Sequence, residues 1–278
     1  MQFEIQDNRQ SPNQFDPAEM GAGNSPIDRA ALFGDGFFTT GRIIDGKIDA
    51  LTHHVERIEH SLEGLKFPSA NPKSIIDKLQ NACTAINHAG FRLSVSRQQV
   101  TRGYAIDHQA TILVNLQLFD LPKLSPNACE LIIADTPVSV NAYLAGIKHL
   151  NRLDNVLAAS EITKPNQEAL MFNDDELICG SRSNIFLKID SKWLTPLLHN
   201  AGIEGITKKR VSALLRTQGI RFESTKIHRQ TLYQVEAAFV TNSLIGVWPV
   251  EQLVGRTLDL ADAKLIQSWF LEQHQGYL

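Results

Sequence analysis

Lys148 is singled out by its neighbours. It lies in LAGIKHLNRLDNVLA, Leu144 to Ala158, with Ala145, Gly146, Ile147 and Leu150 around it. An ammonium group is strongly hydrated. Apolar neighbours that strip its water lower its pKa and leave a nucleophilic amine, able to form a Schiff base with a carbonyl. The bland alternative is a lysine whose stem lies along an apolar strand edge while its head stays in water. Arginine supplies a second kind of chemistry. Arg97 and Arg102 sit in SRQQVTRGYAI, which reads as a hairpin tip. There they are either solvated or placed to grip a dicarboxylate substrate bidentately. Arg57, beside the apolar stripe of HHVERIEHSLEGL, is either a surface cation or an anion clamp at a domain seam. Thr207, in GIEGITKKRV, stands near a helix start. The unpaired N–H groups of Ile206 and Thr207 suit a phosphate there, and an ordinary N-cap threonine reads the same way.

The elements that must position these side chains follow from periodicity. Phe37 to Ile44 is a strand rich in aromatic and β-branched residues, and Asp45-Gly46 turns it into Lys47-Ile48. Thr52 caps a helix whose Val55, Ile58, Leu62 and Leu65 share one face. Lys73 to Ala89 repeats that pattern and is closed by Gly90. Phe91 to Ser96 and Val114 to Phe119 alternate as antiparallel strands. DLPKLSPNA, Asp120 to Ala128, carries two prolines and reads as a linker between domains 1–119 and 129–278. Beyond it come a strand at Glu130 to Ala134, the Lys148 stretch on a strand end, and a helix opening at Asp154. A hairpin around Asn173 to Asp175, a strand from Asn184, a helix after Gly205, a strand at Ala237 to Val240 and a helix capped by Asp259 complete the chain.

Composition excludes several functions. The chain of 278 residues has a formal net charge of -3, which argues against general nucleic-acid or anionic-membrane binding. No apolar run approaches the roughly 20 residues of a membrane helix, and the polar N-terminus carries no signal peptide. Cys83, Cys129 and Cys179 are far apart and odd in number, against a disulfide framework or zinc site. A soluble protein of the reducing cytoplasm is expected.

The stretches DRAALFGDGFFTTGRIIDGKI, HHVERIEHSLEGL, LAGIKHLNRLDNVLA, GIEGITKKRV and TNSLIGVWPV occur in the order found in fold-type IV pyridoxal-phosphate enzymes. The chain resembles that family from about Asp28 to Val250. FGDGFFTT, VTRGY and LAGIKHLNRL are most similar to its aminodeoxychorismate lyases. The resemblance implies an α+β / α/β fold, with a smaller N-terminal αβ domain, a larger C-terminal αβ domain and pyridoxal 5'-phosphate at their interface. It implies a homodimer and a small-molecule dicarboxylate substrate. Lys148 would carry the coenzyme and shuttle protons. Arg57, Ile206, Thr207, Asn242 and Ser243 would hold its phosphate. Arg102, or else Arg97, would bind the substrate carboxylate, and Thr40 or Thr39 would position the leaving group. The implied reaction removes pyruvate from 4-amino-4-deoxychorismate and leaves 4-aminobenzoate for folate synthesis.

This chain departs from the pattern at two places. Where the family places a glutamate against the pyridine nitrogen, five residues before Asn184, this chain has Cys179. A thiol is a weaker hydrogen-bonding partner than a carboxylate and does not hold a proton on that nitrogen. Glu176 is an odd number of residues away and faces the other side of a strand. Either aromatisation drives the lyase with a weaker electron sink, or the chain binds the coenzyme and catalyses poorly or differently. Transamination, on D- or branched-chain amino acids, would depend more on the missing glutamate. Gln98 and Gln99 also replace the small residues expected after Arg97, which alters the substrate mouth.

Overall fold

The computed structural model describes residues 1–7, 27–67, 70–99, 103–106, 110–123, 128–274 and 277. The chain divides into two compact units. The first comprises Met1–Leu121 with Lys148–Asn151, and the second Pro122–Ile147 with Arg152–Leu278. The sequence reading leaves Lys148 in the second domain. The structure gives the four residues Lys148–Asn151 to the first unit.

In the first unit the described elements are β1 (Gln2–Asp7), β2 (Ile27–Asp28), α1 (Arg29–Phe33), β3 (Gly36–Ile44), β4 (Lys47–Ile48), α2 (Leu51–Gly64), α3 (Pro72–Cys83), β5 (His88–Gln99) and β6 (Thr111–Phe119). The sheet runs β1-β6-β5-β3-β4, with β2 on the far end of β5 and β1 parallel to β6. Alternation along β3 puts Phe37, Thr39 and Ile43 on one face, all fully buried. Phe37 and Ile43 join Ile58 and Leu62 of α2 and Ile75 and Leu79 of α3 in one apolar cluster, completed by Phe91, Leu93 and Val95 of β5.

Three local expectations change. The residue before α2 is Ala50, in a left-handed conformation with no side-chain cap, so Thr52 lies inside the helix. Helix α3 is capped by Asn71, has Pro72 in its first turn and ends at Cys83. Gly90 is therefore not its stop but a strand residue opposite Arg42 and Phe119. Finally, β5 continues through Gln99, with Arg97 paired to Ile112. Arg97 is not on a hairpin tip.

The second unit holds β7 (Cys129–Ile133), α4 (Leu153–Ser160), β8 (Gln167–Asn173), β9 (Glu176–Gly180), β10 (Asn184–Ile189), β11 (Lys192–Pro196), α5 (Ile206–Thr217), β12 (Phe222–Thr225), β13 (Ala237–Asn242), β14 (Gly246–Leu253), β15 (Arg256–Thr257) and α6 (Ala261–Gln273). Its sheet is ordered β12-β11-β10-β13-β14-β7-β8-β9, with β15 paired to β14. Phe186, Phe239 and Trp193 of the sheet pack with Val211 and Leu214 of α5 and with Ile266 and Phe270 of α6. Residues 181–183, between β9 and β10, are fixed from below by Glu168. Its buried carboxylate accepts from Ser181 Oγ at 2.8 Å and from the Arg182 backbone at 3.2 Å, and pairs with Arg182 Nε at 3.1 Å. Among the described residues no helix is long and apolar enough to cross a membrane.

Asp35, in FGDG, is the ionic centre of the first unit. Its carboxylate takes Arg29 Nε at 2.7 Å and Arg97 Nη1, and both arginine side chains are 5% exposed. Removing one member of a buried pair costs about 3–5 kcal/mol, because the partner charge stays desolvated. Asp35→Ala should lose stability on that order in urea unfolding, and a loss under about 1 kcal/mol would show that the arginines are held by other contacts.

Candidate active site

Lys148 is placed by backbone pairing. Strand β4 covers only Ile43 and Ile44 of β3, which leaves the other end of that edge open. Residues Lys148 to Leu150 fill it. Phe38 N donates to the Lys148 carbonyl at 2.9 Å, Leu150 N donates to the Gly36 carbonyl at 3.0 Å, and Phe37 and His149 form an antiparallel bridge. Gly36 makes this approach possible, since a Cβ there would lie 2.3 Å from the Val95 carbonyl oxygen and 2.9 Å from the Leu150 side chain. The half-buried Lys148 then turns its Nζ over the Phe38 ring, 4.5 Å from the centroid. Phe38, Thr40 and Arg92 lie on the sheet face opposite α2 and α3. Thr40 pairs directly with Arg92, and the Arg92 guanidinium carbon sits 3.9 Å from the same Phe38 centroid. Burial lowers the Arg92 pKa from its usual value.

Thr39 points the other way. Its hydroxyl lies 2.7 Å from Nδ1 of the buried His54 and accepts from Arg57 Nη1 at 3.4 Å. Arg57 is thus half-buried and held at Thr39, not loose in solvent. Of the two threonines proposed for the leaving group, Thr40 shares a sheet face with Phe38 and so with Lys148. The reading of Arg97 as a substrate clamp needs correction. Its guanidinium is spent on Asp35, on the carbonyls of Leu65 and Lys66 and on the Phe67 ring. Burial lowers its pKa, while Asp35 acts in the opposite sense. Arg102 lies outside the described residues. Gln99 is buried and donates to the Ala105 carbonyl at 3.2 Å, so it shapes the chain beside β5.

In the second unit the start of α5 has the makings of an anion site. The residue before the helix is Gly205, extended and without a side-chain cap, so the first N–H groups have no capping acceptor. The buried hydroxyls of Thr207 and of Thr241 on β13 find no hydrogen-bond partner. Asn184 ties these pieces together. It pairs with Thr241 across β10 and β13, and its Nδ2 donates to the Ile203 carbonyl at 2.9 Å. A Cβ on Gly205 would lie 2.0 Å from Asn184 Oδ1. Asn242 shapes the next turn by accepting from the N–H groups of Leu244 and Ile245 at 3.0 and 2.9 Å, with Ser243 between them.

Cys179 is 7% exposed, paired to Met171 and packed with Ala169. Arg152, at the head of α4, donates to Asn155 Oδ1 at 3.2 Å, and Asn155 in turn donates to the Ser181 carbonyl at 2.8 Å. Burial lowers the Arg152 pKa, with Asp154 and Cys179 acting in the opposite sense. Glu176 is turned to His199 and Lys226 at 3.6 and 3.7 Å. A bulge between the two residues pairs Glu176 with Asn173 and Cys179 with Met171, two positions apart on β8, so the odd offset does not put Glu176 on the opposite face.

Sequence reasoning missed Arg92, His54, Asn184 and Thr241. The alternation of Phe91-Arg92-Leu93-Ser94 carried a signal for Arg92, since it is the polar partner of two core residues. Its pairing with Thr40 has no local signature.

A lysine laid on a sheet face and an uncapped helix start with orphaned hydroxyls, on two αβ units, define a recognisable class. The chain belongs to the class IV amino-transferase family, whose sequence profile matches residues 36–253. It is 28% identical to the aminodeoxychorismate lyase of Vibrio harveyi over 229 residues, 80% of this chain and 84% of that one. It is 25% identical to the D-alanine aminotransferase of Bacillus licheniformis over 236 residues, 83% of each. The crystal structure of 4-amino-4-deoxychorismate lyase from Pseudomonas aeruginosa superposes with a TM-score of 0.85 at 25% identity, covering 92% of this chain and 97% of that one.

The Gly205–Asn184 contact yields a direct test of how the α5 start is built. Gly205→Ala should displace Asn184 from the Ile203 carbonyl and cost about 1–3 kcal/mol in chemical denaturation. Unchanged stability would mean that the helix start can shift at no cost.

Proposed function

We propose that this protein is a pyridoxal-phosphate-dependent lyase that eliminates pyruvate from 4-amino-4-deoxychorismate and releases 4-aminobenzoate, for folate synthesis. The observation that carries the reading is Lys148 Nζ, turned over the Phe38 ring by the two backbone hydrogen bonds of the Phe37–His149 bridge to β3. The residues present fit the coenzyme. Its phosphate is a dianion, and the α5 start offers free N–H groups at Ile206 and Thr207 beside a buried hydroxyl without a partner. Asn242 and Ser243 follow Thr241 directly, and the family resemblance assigns Arg57 to the same phosphate.

When bound, the coenzyme supplies an electron sink for the carbon that carries the substrate nitrogen. Lys148 Nζ would hold the coenzyme in the resting protein and, once the substrate amine has displaced it, the freed amine would take the proton from that carbon. It would then give a proton to the departing enolpyruvyl group, which leaves as pyruvate. Phe38 restricts water around Nζ, so that the amine acts as a base. Thr40, on the same sheet face, positions the leaving group.

Transamination is the second reading, favoured by the likeness to D-alanine aminotransferase. Cys179 weighs against it. The pyridine nitrogen would meet a thiol among Ala169 and Met171 where the family pattern has a carboxylate. Aromatisation of the product drives elimination without a strong sink, and transamination has no such drive. The protein acts as a homodimer in the cytoplasm. Leu153, Val156 and Leu157 present an exposed apolar stripe on α4, and the three cysteines are buried and form no disulfide among the described residues.

The decisive assay measures 4-aminobenzoate release beside keto-acid-dependent amino transfer, with the absorption band of the Lys148-bound coenzyme as the loading control. Release without transfer is expected, and Lys148→Ala should abolish both the band and the release. Amino transfer without release would sink the lyase reading, and no band at all would sink the coenzyme. Cys179→Glu should hold or raise the rate of release. A collapse of activity with the band intact would show that the thiol itself is needed.

A further inference from the structure

We infer that Tyr277 is a positioning residue for the coenzyme, because it fixes the turn that carries Asn242 and Ser243. This rests on the reading of that turn as part of the phosphate site. Every residue the inference uses belongs to the second unit.

Strands β13 and β14 stay paired as far as Asn242 and Gly246, which leaves Ser243, Leu244 and Ile245 as the turn. Asn242 Oδ1 accepts from Leu244 N at 3.0 Å and from Ile245 N at 2.9 Å. The Tyr277 hydroxyl donates to the Ser243 carbonyl at 3.1 Å. That carbonyl and the Leu244 N–H belong to one planar peptide group. The plane is therefore held at both ends, and turning it breaks both bonds. Strand pairing at Asn242 fixes the chain on the other side of Ser243. Ser243 thus keeps its N–H and hydroxyl in one set direction, and donors ordered in advance bind an anion at a smaller entropic cost.

Tyr277 is itself locked by packing. It is 2% exposed, and its ring stands edge-on to Phe270 of α6 with centroids 5.3 Å apart. Gly246 makes room for both rings. Its φ is +78°, and a Cβ there would lie 3.0 Å from Phe270 and from Tyr277. Gln267 Nε2 donates to the Val247 carbonyl at 2.9 Å and ties α6 to β14. A phenylalanine at 277 would fill the same apolar cluster beside Phe270. The phenol adds a donor, and a buried phenol hydroxyl is stable only with a partner. Here that partner is the backbone of the turn, so the hydroxyl acts on the shape of the turn more than on the core.

The test titrates the full chain, stripped of coenzyme, with pyridoxal 5'-phosphate and with pyridoxal, and compares the two Kd values. Their ratio isolates what the phosphate contributes, and a loss of stability elsewhere does not move it. The wild type should prefer the phosphate form about a hundredfold or more, as several charge-assisted hydrogen bonds imply. Tyr277→Phe removes the hydroxyl and keeps the ring. It should lower the ratio about three- to tenfold, the worth of one hydrogen bond, with the Kd for pyridoxal unchanged. Gln267→Leu loosens α6 without touching the turn and should keep the ratio; an equal fall there overturns the inference, since packing of α6 would then suffice. Asn242→Ala frees the other end of the same peptide and tests the turn itself. If it lowers the ratio while Tyr277→Phe does not, the turn belongs to the site and the inference alone is overturned. If neither variant moves the ratio, or the wild type binds both forms equally, the phosphate reading of the turn falls and the inference falls with it.

Discussion

The proposed chemistry rests on four residues of chain leaving one unit and completing the sheet of the other. Lys148–Asn151 follow Ile147 of the second unit, yet their backbone groups pair with Gly36, Phe37 and Phe38 of β3. A lysine held by its own main chain can be desolvated without being free to swing back into water. Its flexible stem would otherwise cost much rotamer entropy to order. The glycine at position 36 is the other half of that device, because any side chain there would meet β5 on one side and Leu150 on the other.

FGDG makes sense in the same terms. Gly36 admits the lysine segment, and Asp35 binds Arg29 and Arg97, fixing the start of β3 against α1 and the end of β5. The motif is structural in all its visible contacts. Its effect on chemistry is indirect, through the rigidity of the strand that carries Phe38 and Thr40. The second unit follows a different logic. Around α5 the chain leaves polar groups unsatisfied where a stability-driven design would pair them, and the hydroxyls of Thr207 and Thr241 are buried without partners. Unpaired buried polar groups cost roughly 1–3 kcal/mol each, so their retention points to a ligand that completes them.

Much of this was legible from the chain. The strand at Phe37–Ile44, its Asp45-Gly46 turn, the hairpin at Asn173–Asp175 and the helix after Gly205 follow from period and turn chemistry. Lys148 stood out through its apolar neighbours, and the motif order pointed to the family to which the chain belongs. Errors gathered where local signals compete. Thr52 is a good cap, but a left-handed Ala50 opens α2 instead. Gly90 is a good helix stop, but pairing with β3 and β6 claimed it for a strand. Arg97 reads as a hairpin-tip residue, solvated or gripping a substrate carboxylate, because SRQQ carries turn-like polarity, while the distant Asp35 draws it inward.

The sequence by itself determined which residues could react, because side-chain chemistry and short-range periodicity are local properties. Tertiary structure alone decided which of them meet. Arg92 shares a ring with Lys148, although 56 positions separate them in the numbering, because β3 pairs with β5 on one edge and with Lys148–Leu150 on the other. Asn184 meets Gly205 because β10 runs past the turn that opens α5. Such meetings are set by strand register and chain crossing, which depend on the burial of the whole sheet and leave no mark on the residues they bring together.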